Sequence, residues 1–213
     1  MVRGHGLATA LRNCDALVDA IPVSALRAVT ATAFFEAAAG NLVAATARAG
    51  VAHVVPLSII GIDEVDMGYY VGKRAQERVR RAGSLPWTIL RATQFHEFPA
   101  HQLTQQRGPV AFVPPMRSAP VSAHEVGEYM ADLLLAAPQG MAAPLRGPEE
   151  HDTAQLARRV VTASGQQRMV LELPAVGRTG RAMRSGALVP KEPCRRGVTT
   201  FAEYLEATRT APG

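Results

Sequence analysis

A tyrosine and a lysine four residues apart carry the clearest chemical signal in this 213-residue sequence. Tyr69 and Lys73 lie in a segment whose composition predicts a helix, and residues four apart share one face of a helix. Because a nearby ammonium favours the phenolate, the spacing predicts that Lys73 lowers the pKa of Tyr69. A tyrosine tuned in this way can donate or accept a proton at working pH.

A serine at the end of the preceding predicted strand adds a third group. Ser58 closes the run 53–58, and its hydroxyl can hold the oxygen of a substrate. The alternative is a chance spacing on a solvent-exposed helix face, because four tyrosines and two lysines produce so short a motif by accident on occasion. The position of the pair, directly after a strand that ends in Ser58, favours an active site that is present or ancestral.

The elements that must position these groups alternate between strand and helix. The patterns predict strands over 16–21, 53–58 and 86–91, an alanine-rich helix over 24–49 that ends at Gly50, and a helix over 69–82 that ends at Gly83. Such alternation with short links is typical of a parallel α/β sheet. The loops after the strands then converge at the edge where α/β folds bind ligands.

Shorter elements follow in the second half of the chain. We expect strands near 110–113 and 169–173, and helices over 123–137, 152–164, 178–184 and 200–207, the last opened by a capping sequence at Thr200. They predict a small α+β lid or substrate-side subdomain over 108–213, packed as one unit with the α/β part over 1–107. His96 and Glu97 follow the third strand, where we expect surface hydrogen bonding.

Composition argues against several other classes of protein. The net charge is +5, but the arginines are scattered, so we expect no nucleic-acid partner. Cys14 and Cys194 lack metal-ligand spacing, and the histidines show none, so neither a zinc site nor a disulfide framework is predicted. The sequence shows no signal-peptide character and no run of about 18 apolar residues, which predicts a cytoplasmic protein without a membrane span.

Three segments, 51–61, 69–73 and 85–95, resemble the atypical NAD(P)H-binding short-chain dehydrogenase/reductases, the NmrA-like and nucleoside-diphosphate-sugar-epimerase-like group. Residues 120–126 and 197–205 extend the resemblance over nearly the whole chain. The resemblance implies a partial Rossmann-type parallel sheet flanked by helices, with NADP or NAD as cofactor. Residues 1–107 would then form an incomplete NAD(P)-binding domain. This sequence departs from the family at Ser122 and Glu125, where aspartates are usual.

The resemblance also implies roles for particular residues. Ser58 would bind the substrate oxygen, Tyr69 would transfer the proton, and Lys73 would hold the nicotinamide ribose and lower the pKa of the tyrosine. Two further groups would line the cofactor, Ala20 and Ile21 beside the adenine side, and Ala92, Thr93, Gln94 and Phe95 beside the nicotinamide.

The start of the sequence departs most from the family. Relatives open with a strand, a glycine-rich turn and a helix that binds the pyrophosphate, whereas Gly4-His5-Gly6 reads as a loop. We therefore expect two to three βα units, about 70 residues, to have no counterpart, and nucleotide binding to be impaired. The strand over 16–21 would keep an open edge, which suggests a homo-oligomer.

Three functions remain open at this stage. The first is an NAD(P)-dependent oxidoreductase that acts on a small carbonyl or alcohol. The second is a non-catalytic NmrA-like protein that senses a dinucleotide or binds a partner. The third is a truncated, inactive member of the family, so whether the protein is an enzyme stays undecided.

Overall fold

The computed structural model describes residues 3–22, 27–174, 176–191 and 193–210. The first residues of the helix predicted over 24–49, up to Leu26, lie outside the described residues. In chain order the helices are α1 (Leu7–Ala10), α2 (Ala28–Ala49), α3 (Gly68–Ala82), α4 (Phe98–Thr104), α5 (Ala123–Leu135), α6 (Thr153–Ala163), α7 (Gly177–Arg184) and α8 (Phe201–Thr210). The strands are β1 (Ala16–Asp19), β2 (His53–Ile59), β3 (Thr88–Ala92), β4 (Val110–Val113), β5 (Arg117–Ser118), β6 (Gly140–Met141), β7 (Leu145–Arg146), β8 (His151–Asp152), β9 (Met169–Glu172) and β10 (Arg195–Arg196).

The chain divides into two compact units that differ from the predicted division at residue 107. One comprises the described residues of Met1–Arg91 and Gly127–Ala143, and the other those of Ala92–Val126 and Pro144–Gly213. The first unit ends earlier than predicted because the chain leaves it at the end of β3. It also includes Gly127–Ala143, which the sequence analysis assigned to the second domain, because β6 in this segment pairs in parallel with β3.

The first unit is built on parallel strands, as the α/β pattern predicts. β1 pairs in parallel with β2, and the start of β3 follows on the other side of β2 through a bridge between Val54 and Trp87. β2 is apolar and largely buried along its length, which suits a strand covered on both faces. It continues through Pro56 to Ile59, one residue beyond the prediction. Among the described strands, β1 pairs with β2 alone.

Helices α2 and α3 pack closely against each other in this unit. α2 is rich in alanine, a strong helix former, and it ends at Gly50 in the left-handed conformation with φ of 73°. A Cβ atom at Gly72 of α3 would lie 2.6 Å from a ring carbon of Phe35 and 2.9 Å from the Cβ of Ala31. The absence of a side chain at Gly72 therefore lets the two helices approach.

The long apolar helix α2 meets a length-and-composition criterion for crossing a membrane. Core helices of soluble proteins meet the same criterion, and α2 buries Phe35 and Leu42 within its own unit. The expected absence of a membrane partner and the cytoplasmic location both stay predictions.

The second unit contains the predicted α+β elements. β4 and β9 pair in parallel, and their inward residues meet α4 and α6 in a core that includes Leu103, Val113, Val161 and Val170. Ala92, at the end of β3, pairs with Leu145 of β7, which continues to β10. The two-residue strands and α4 escaped the sequence analysis, since such short elements carry no measurable periodicity.

Side-chain caps begin two of the helices in this unit. The carboxylate of Asp152 accepts a hydrogen bond from the backbone N–H of Ala154 at 2.8 Å, which caps α6. At α8, the Glu203 carboxylate accepts from the backbone and hydroxyl of Thr200, and the Thr200 hydroxyl accepts from the Glu203 backbone. The capping sequence predicted at Thr200 is confirmed.

Candidate functional site

Strand β2 and helix α3 position the three predicted catalytic side chains within the first unit. Ser58 lies near the end of β2, and its hydroxyl is buried without a hydrogen-bond partner among the described residues. An unpaired buried polar group costs about 1–3 kcal/mol, so this hydroxyl is one that a bound ligand or water would stabilise.

Tyr69 and Lys73 lie on one face of α3, as their spacing predicts. The Nζ atom of Lys73 is 5.9 Å from the centroid of the Tyr69 ring and 4.8 Å from that of Phe35 on α2. It donates a hydrogen bond of 3.0 Å to the carbonyl of Leu57, the neighbour of Ser58. Among the described residues, no hydrogen bond joins the three predicted catalytic side chains directly.

The predicted lowering of the tyrosine pKa is wrong. Burial raises the pKa of Tyr69 above its ordinary value of 10. The Phe35 ring packs against the tyrosine edge-on with centroids 5.7 Å apart. Lys73 points its hydrogen bonds at Leu57 and at Gln76, so the desolvation of the phenol outweighs any effect of the ammonium. The phenol is therefore held in its protonated form.

Burial also changes the lysine. The side chain of Lys73 is 3% exposed, and its pKa is lowered to about 8, chiefly by burial. The negative charges of Asp19 and Glu77 raise that pKa and so offset part of the effect. Near neutral pH the lysine remains mostly charged, and it loses its proton a little above that range.

A buried polar chain behind Lys73 escaped the sequence analysis. Lys73 donates to the Gln76 amide oxygen at 2.9 Å, and the Gln76 amide nitrogen donates to Asp19 at 3.0 Å. The guanidinium of Arg80 lies 3.7 Å from the same carboxylate oxygen of Asp19. Two signals were available, the polar residues at spacings of three and four along α3 and the lone carboxylate in the apolar run of β1.

The residues expected to line the cofactor lie in both units. Ala20 and Ile21 directly follow β1, where Ala20 is exposed and Ile21 half-buried. In the second unit, the Thr93 hydroxyl donates to the Ala119 carbonyl at 2.5 Å and the Gln94 amide accepts from Ser118 at 2.6 Å. These two side chains therefore hold the segment that contains β5, which the sequence did not indicate.

The first described residues provide no anion site of the glycine-rich kind. Gly4 and Gly6 have φ of 65° and 77° and lead into α1, which has only four residues and no strand before it in the described part. Within residues 3–22, the arrangement thus lacks the strand and long helix that present backbone N–H groups to a pyrophosphate. No group of three or more His, Cys, Asp or Glu side chains among the described residues is arranged to hold a metal ion.

Comparisons with known proteins bear on this site. A family model described as NAD(P)H-binding matches residues 4–137. No curated protein matches the sequence. Several solved structures share the fold, so the predicted fold class and the expected kind of cofactor-binding family are confirmed.

Three of these structures illustrate the likeness. An NADPH-dependent quinone oxidoreductase from Escherichia coli is 17% identical, with a TM-score of 0.66 over 96% of this chain and 79% of that one. The triphenylmethane reductase of Citrobacter sp. is 14% identical, with a TM-score of 0.69 over 98% and 80%. A nucleoside-diphosphate-sugar epimerase from Staphylococcus aureus is 14% identical, with a TM-score of 0.64 over 96% and 81%.

Proposed function

The chain belongs to the NAD(P)H-binding family, and from that premise we propose that it is an NAD(P)-dependent reductase of small carbonyl compounds. The observation that carries the proposal is the placement of Lys73. Its ammonium lies 5.9 Å from the centroid of the Tyr69 ring and donates a hydrogen bond to the carbonyl next to Ser58, which supports a shared role for the three groups.

The chain's residues fit one half of the cofactor. An ammonium has three N–H donors, and Lys73 uses two of them on Leu57 and Gln76, which leaves the third for a ribose hydroxyl. The unpaired Ser58 hydroxyl can donate to a substrate oxygen. For the pyrophosphate, residues 3–22 offer no glycine-rich turn followed by a long helix, so we expect weak binding. The cofactor roles of Ala20, Ile21 and residues 92–95 stay predictions.

The direction of the reaction follows from the tyrosine. When bound, a reduced nicotinamide would supply the hydride that the carbonyl carbon takes up. Tyr69, kept protonated by burial, donates its proton to the carbonyl oxygen, which Ser58 holds by a hydrogen bond. Lys73 stabilises the phenolate that remains until solvent returns the proton. A phenol with a raised pKa is suited to the reduction of a carbonyl rather than to the oxidation of an alcohol.

The proposal is tested by nucleotide binding and then by turnover. NADPH or NADH at millimolar concentration should raise the melting temperature, since any ligand selective for the folded state does so. NADPH consumption is then followed with a quinone and with a small aldehyde. Tyr69→Phe should leave the thermal shift intact and lower kcat by about 10²-fold or more, while the matched control Tyr129→Phe keeps both.

The pH dependence provides a second readout of the same proposal. Because the pKa of Lys73 is about 8, the ammonium that stabilises the phenolate is lost as pH rises through that value. We therefore expect kcat for reduction to fall above about pH 8. A thermal shift that is absent with every nucleotide would refute the proposal at its first step.

A dinucleotide-sensing protein is the second candidate function. The Phe35 ring lies against both Tyr69 and Lys73, and such an apolar cover suits a site that binds without turnover. This candidate predicts a thermal shift with nucleotide, no consumption of NADPH, and no effect of Tyr69→Phe on binding.

The proposed partner is a second copy of the chain. Among the described strands β1 has one neighbour, β2, and an edge with free backbone groups can pair with another strand. Light scattering tests this proposal, and a stable monomer at high concentration would defeat it.

A further inference from the structure

The buried chain from Lys73 through Gln76 to Asp19 has only one arrangement of its hydrogen bonds. A lysine ammonium can only donate, and an ionised carboxylate can only accept. The amide of Gln76 lies between them, with its oxygen 2.9 Å from Lys73 Nζ and its nitrogen 3.0 Å from Asp19 Oδ2. Both neighbours therefore require the same orientation of the amide, and a flip would break both bonds.

Rigid elements hold both ends of this chain. Asp19 is the last residue of β1 and lies opposite Pro56 in the parallel pairing with β2. Gln76 is one turn after Lys73 on α3, and Arg80 follows one turn later at 3.7 Å from Asp19. Asp19, Lys73, Gln76 and Arg80 are each only 1–3% exposed, so water does not compete for their hydrogen bonds.

The groups facing Lys73 come from every neighbouring element. Asp19 faces it from β1 through Gln76, the Leu57 carbonyl from β2, the Phe35 ring from α2, and Tyr69, Gln76 and Glu77 from its own helix. The rings and the burial oppose the charged amine, whereas the two carboxylates support it. Only Gln76 and Leu57 accept hydrogen bonds from the ammonium among the described residues.

We propose that Gln76, held in its orientation by Asp19, is a positioning residue that fixes the Lys73 ammonium at the end of β2 and keeps it charged. The inference rests on the proposed function only for the purpose of that ammonium, which is to meet the ribose of the nucleotide. Neither Gln76 nor Asp19 touches the reacting atoms in this scheme. Their effect is transmitted through Lys73.

The test exploits the rarity of lysine in this sequence. Only Lys73 and Lys191 are present, so protein labelled with [¹³C]lysine gives two Cε signals, and Lys191→Arg assigns them. Titration of the full chain without nucleotide should show Lys73 losing its proton near pH 8. In the same samples, the Gln76 side-chain amide should shift with the same midpoint, because its oxygen accepts from the titrating group.

Substitutions then separate positioning from simple packing. Gln76→Leu and Asp19→Asn should each lower the Lys73 midpoint by about one to two pH units, the size expected for losing a hydrogen bond to a charged group. Gln76→Glu should raise it. The control Arg78→Gln, on the exposed side of α3 where Arg78 pairs with Glu36, should leave it unchanged.

The outcomes are distinct from those of the proposed function. A Lys73 midpoint that is unchanged in either Gln76→Leu or Asp19→Asn overturns the inference, whatever nucleotide does. If those variants do not fold, the wild-type titration decides, and a Gln76 amide that ignores the ionisation of Lys73 overturns it equally. Failure of NADPH to raise the melting temperature sinks the reductase proposal but does not move the Lys73 signal.

Discussion

Each unit of this protein buries a titratable side chain whose pKa is lowered by that burial, and the two environments differ. Lys73 in the first unit and His96 in the second are 3% and 1% exposed, and burial lowers the pKa of both. Lys73 donates hydrogen bonds to two acceptors, Leu57 and Gln76, and Gln76 in turn bonds the Asp19 carboxylate. Around His96 they are mostly rings.

The histidine was expected on the surface, and that expectation is wrong. The His96 ring packs against Phe201 and Tyr204 of α8 with centroids 5.8 and 5.2 Å apart. Its Nε2 atom is 3.0 Å from the Pro120 carbonyl and therefore carries the proton, while Nδ1 is buried without a partner among the described residues. Glu97 and Glu125 raise the pKa of His96, but burial outweighs them.

The comparison shows that burial alone does not decide what a titratable group is used for. Lys73 has acceptors that satisfy a charged form, which suits work on a ligand. His96 has one acceptor and aromatic faces, which suit a neutral ring that holds a helix. The polar chain therefore fits the binding role proposed for Lys73, and the rings fit a packing role for His96.

Removal of a ring from the second environment should have the largest effect. Phe201 is 1% exposed and lies between His96 and the guanidinium of Arg159, 5.2 Å from its ring. Phe201→Ala should lower the free energy of unfolding by about 3–5 kcal/mol, measured by urea denaturation. Phe112→Ala, on a side chain 46% exposed, is the matched control and should cost much less. Equal losses of unfolding free energy would mean that the contacts of Phe201 with His96 and Tyr204 do not contribute to stability.

The environment of Lys73 should make the free energy of unfolding depend on pH. The pKa of Lys73 falls from 10.5 in the unfolded chain to about 8, so between these values the unfolded state binds more protons. The free energy of unfolding of the wild type, relative to Lys73→Met, should therefore rise by about 3 kcal/mol from pH 8 to pH 10.5. Urea titrations at several pH values measure it, with Lys191→Met as the control. A flat difference would show that Lys73 is not desolvated.

The contact between α2 and α3 offers a smaller perturbation of the lysine site. A methyl group at Gly72 would collide with Phe35 and Ala31, so Gly72→Ala should destabilise the protein by about 1–3 kcal/mol. Gly40 in α2 has nothing within 4 Å of an added Cβ, and Gly40→Ala should stabilise by roughly 0.5–1 kcal/mol. We expect Gly72→Ala to lower the melting temperature and Gly40→Ala to raise it. An unchanged melting temperature in Gly72→Ala would mean that Phe35 moves freely.

The cap of α8 provides the smallest expected effect. Thr200→Ala removes the hydroxyl that accepts from the Glu203 backbone, and it should cost about 1 kcal/mol. Thr208→Ala, on the exposed face of the same helix, should cost less. Chemical denaturation measures both, and indistinguishable values would show that the rings alone secure this helix.

The sequence predicted what depends on nearby residues. The shared face of Tyr69 and Lys73 follows from a spacing of four, and the cap at Thr200 from a four-residue pattern. Long-range contacts could not be read in this way. Asp19 and Gln76 are 57 residues apart, and their pairing depends on how β1 and α3 meet.

The chemistry of Tyr69 was missed for the same reason. Its pKa depends on the Phe35 ring, which comes from a helix more than 30 residues earlier. Nothing in the local sequence reports that contact. The short strands β5 and β8 likewise form only through pairing with each other, because two residues have no pattern of their own.

The path of the chain between the two units has a consequence for synthesis on the ribosome. Because the chain passes from one unit to the other at residues 91, 126 and 143, each unit is made of separate stretches. The first unit cannot complete its set of strands until β6 has emerged, and by then the initial stretch of the second has already been translated. No single cut by a protease, and no single truncation of the gene, releases either unit whole. The two units therefore have to be synthesised as one chain.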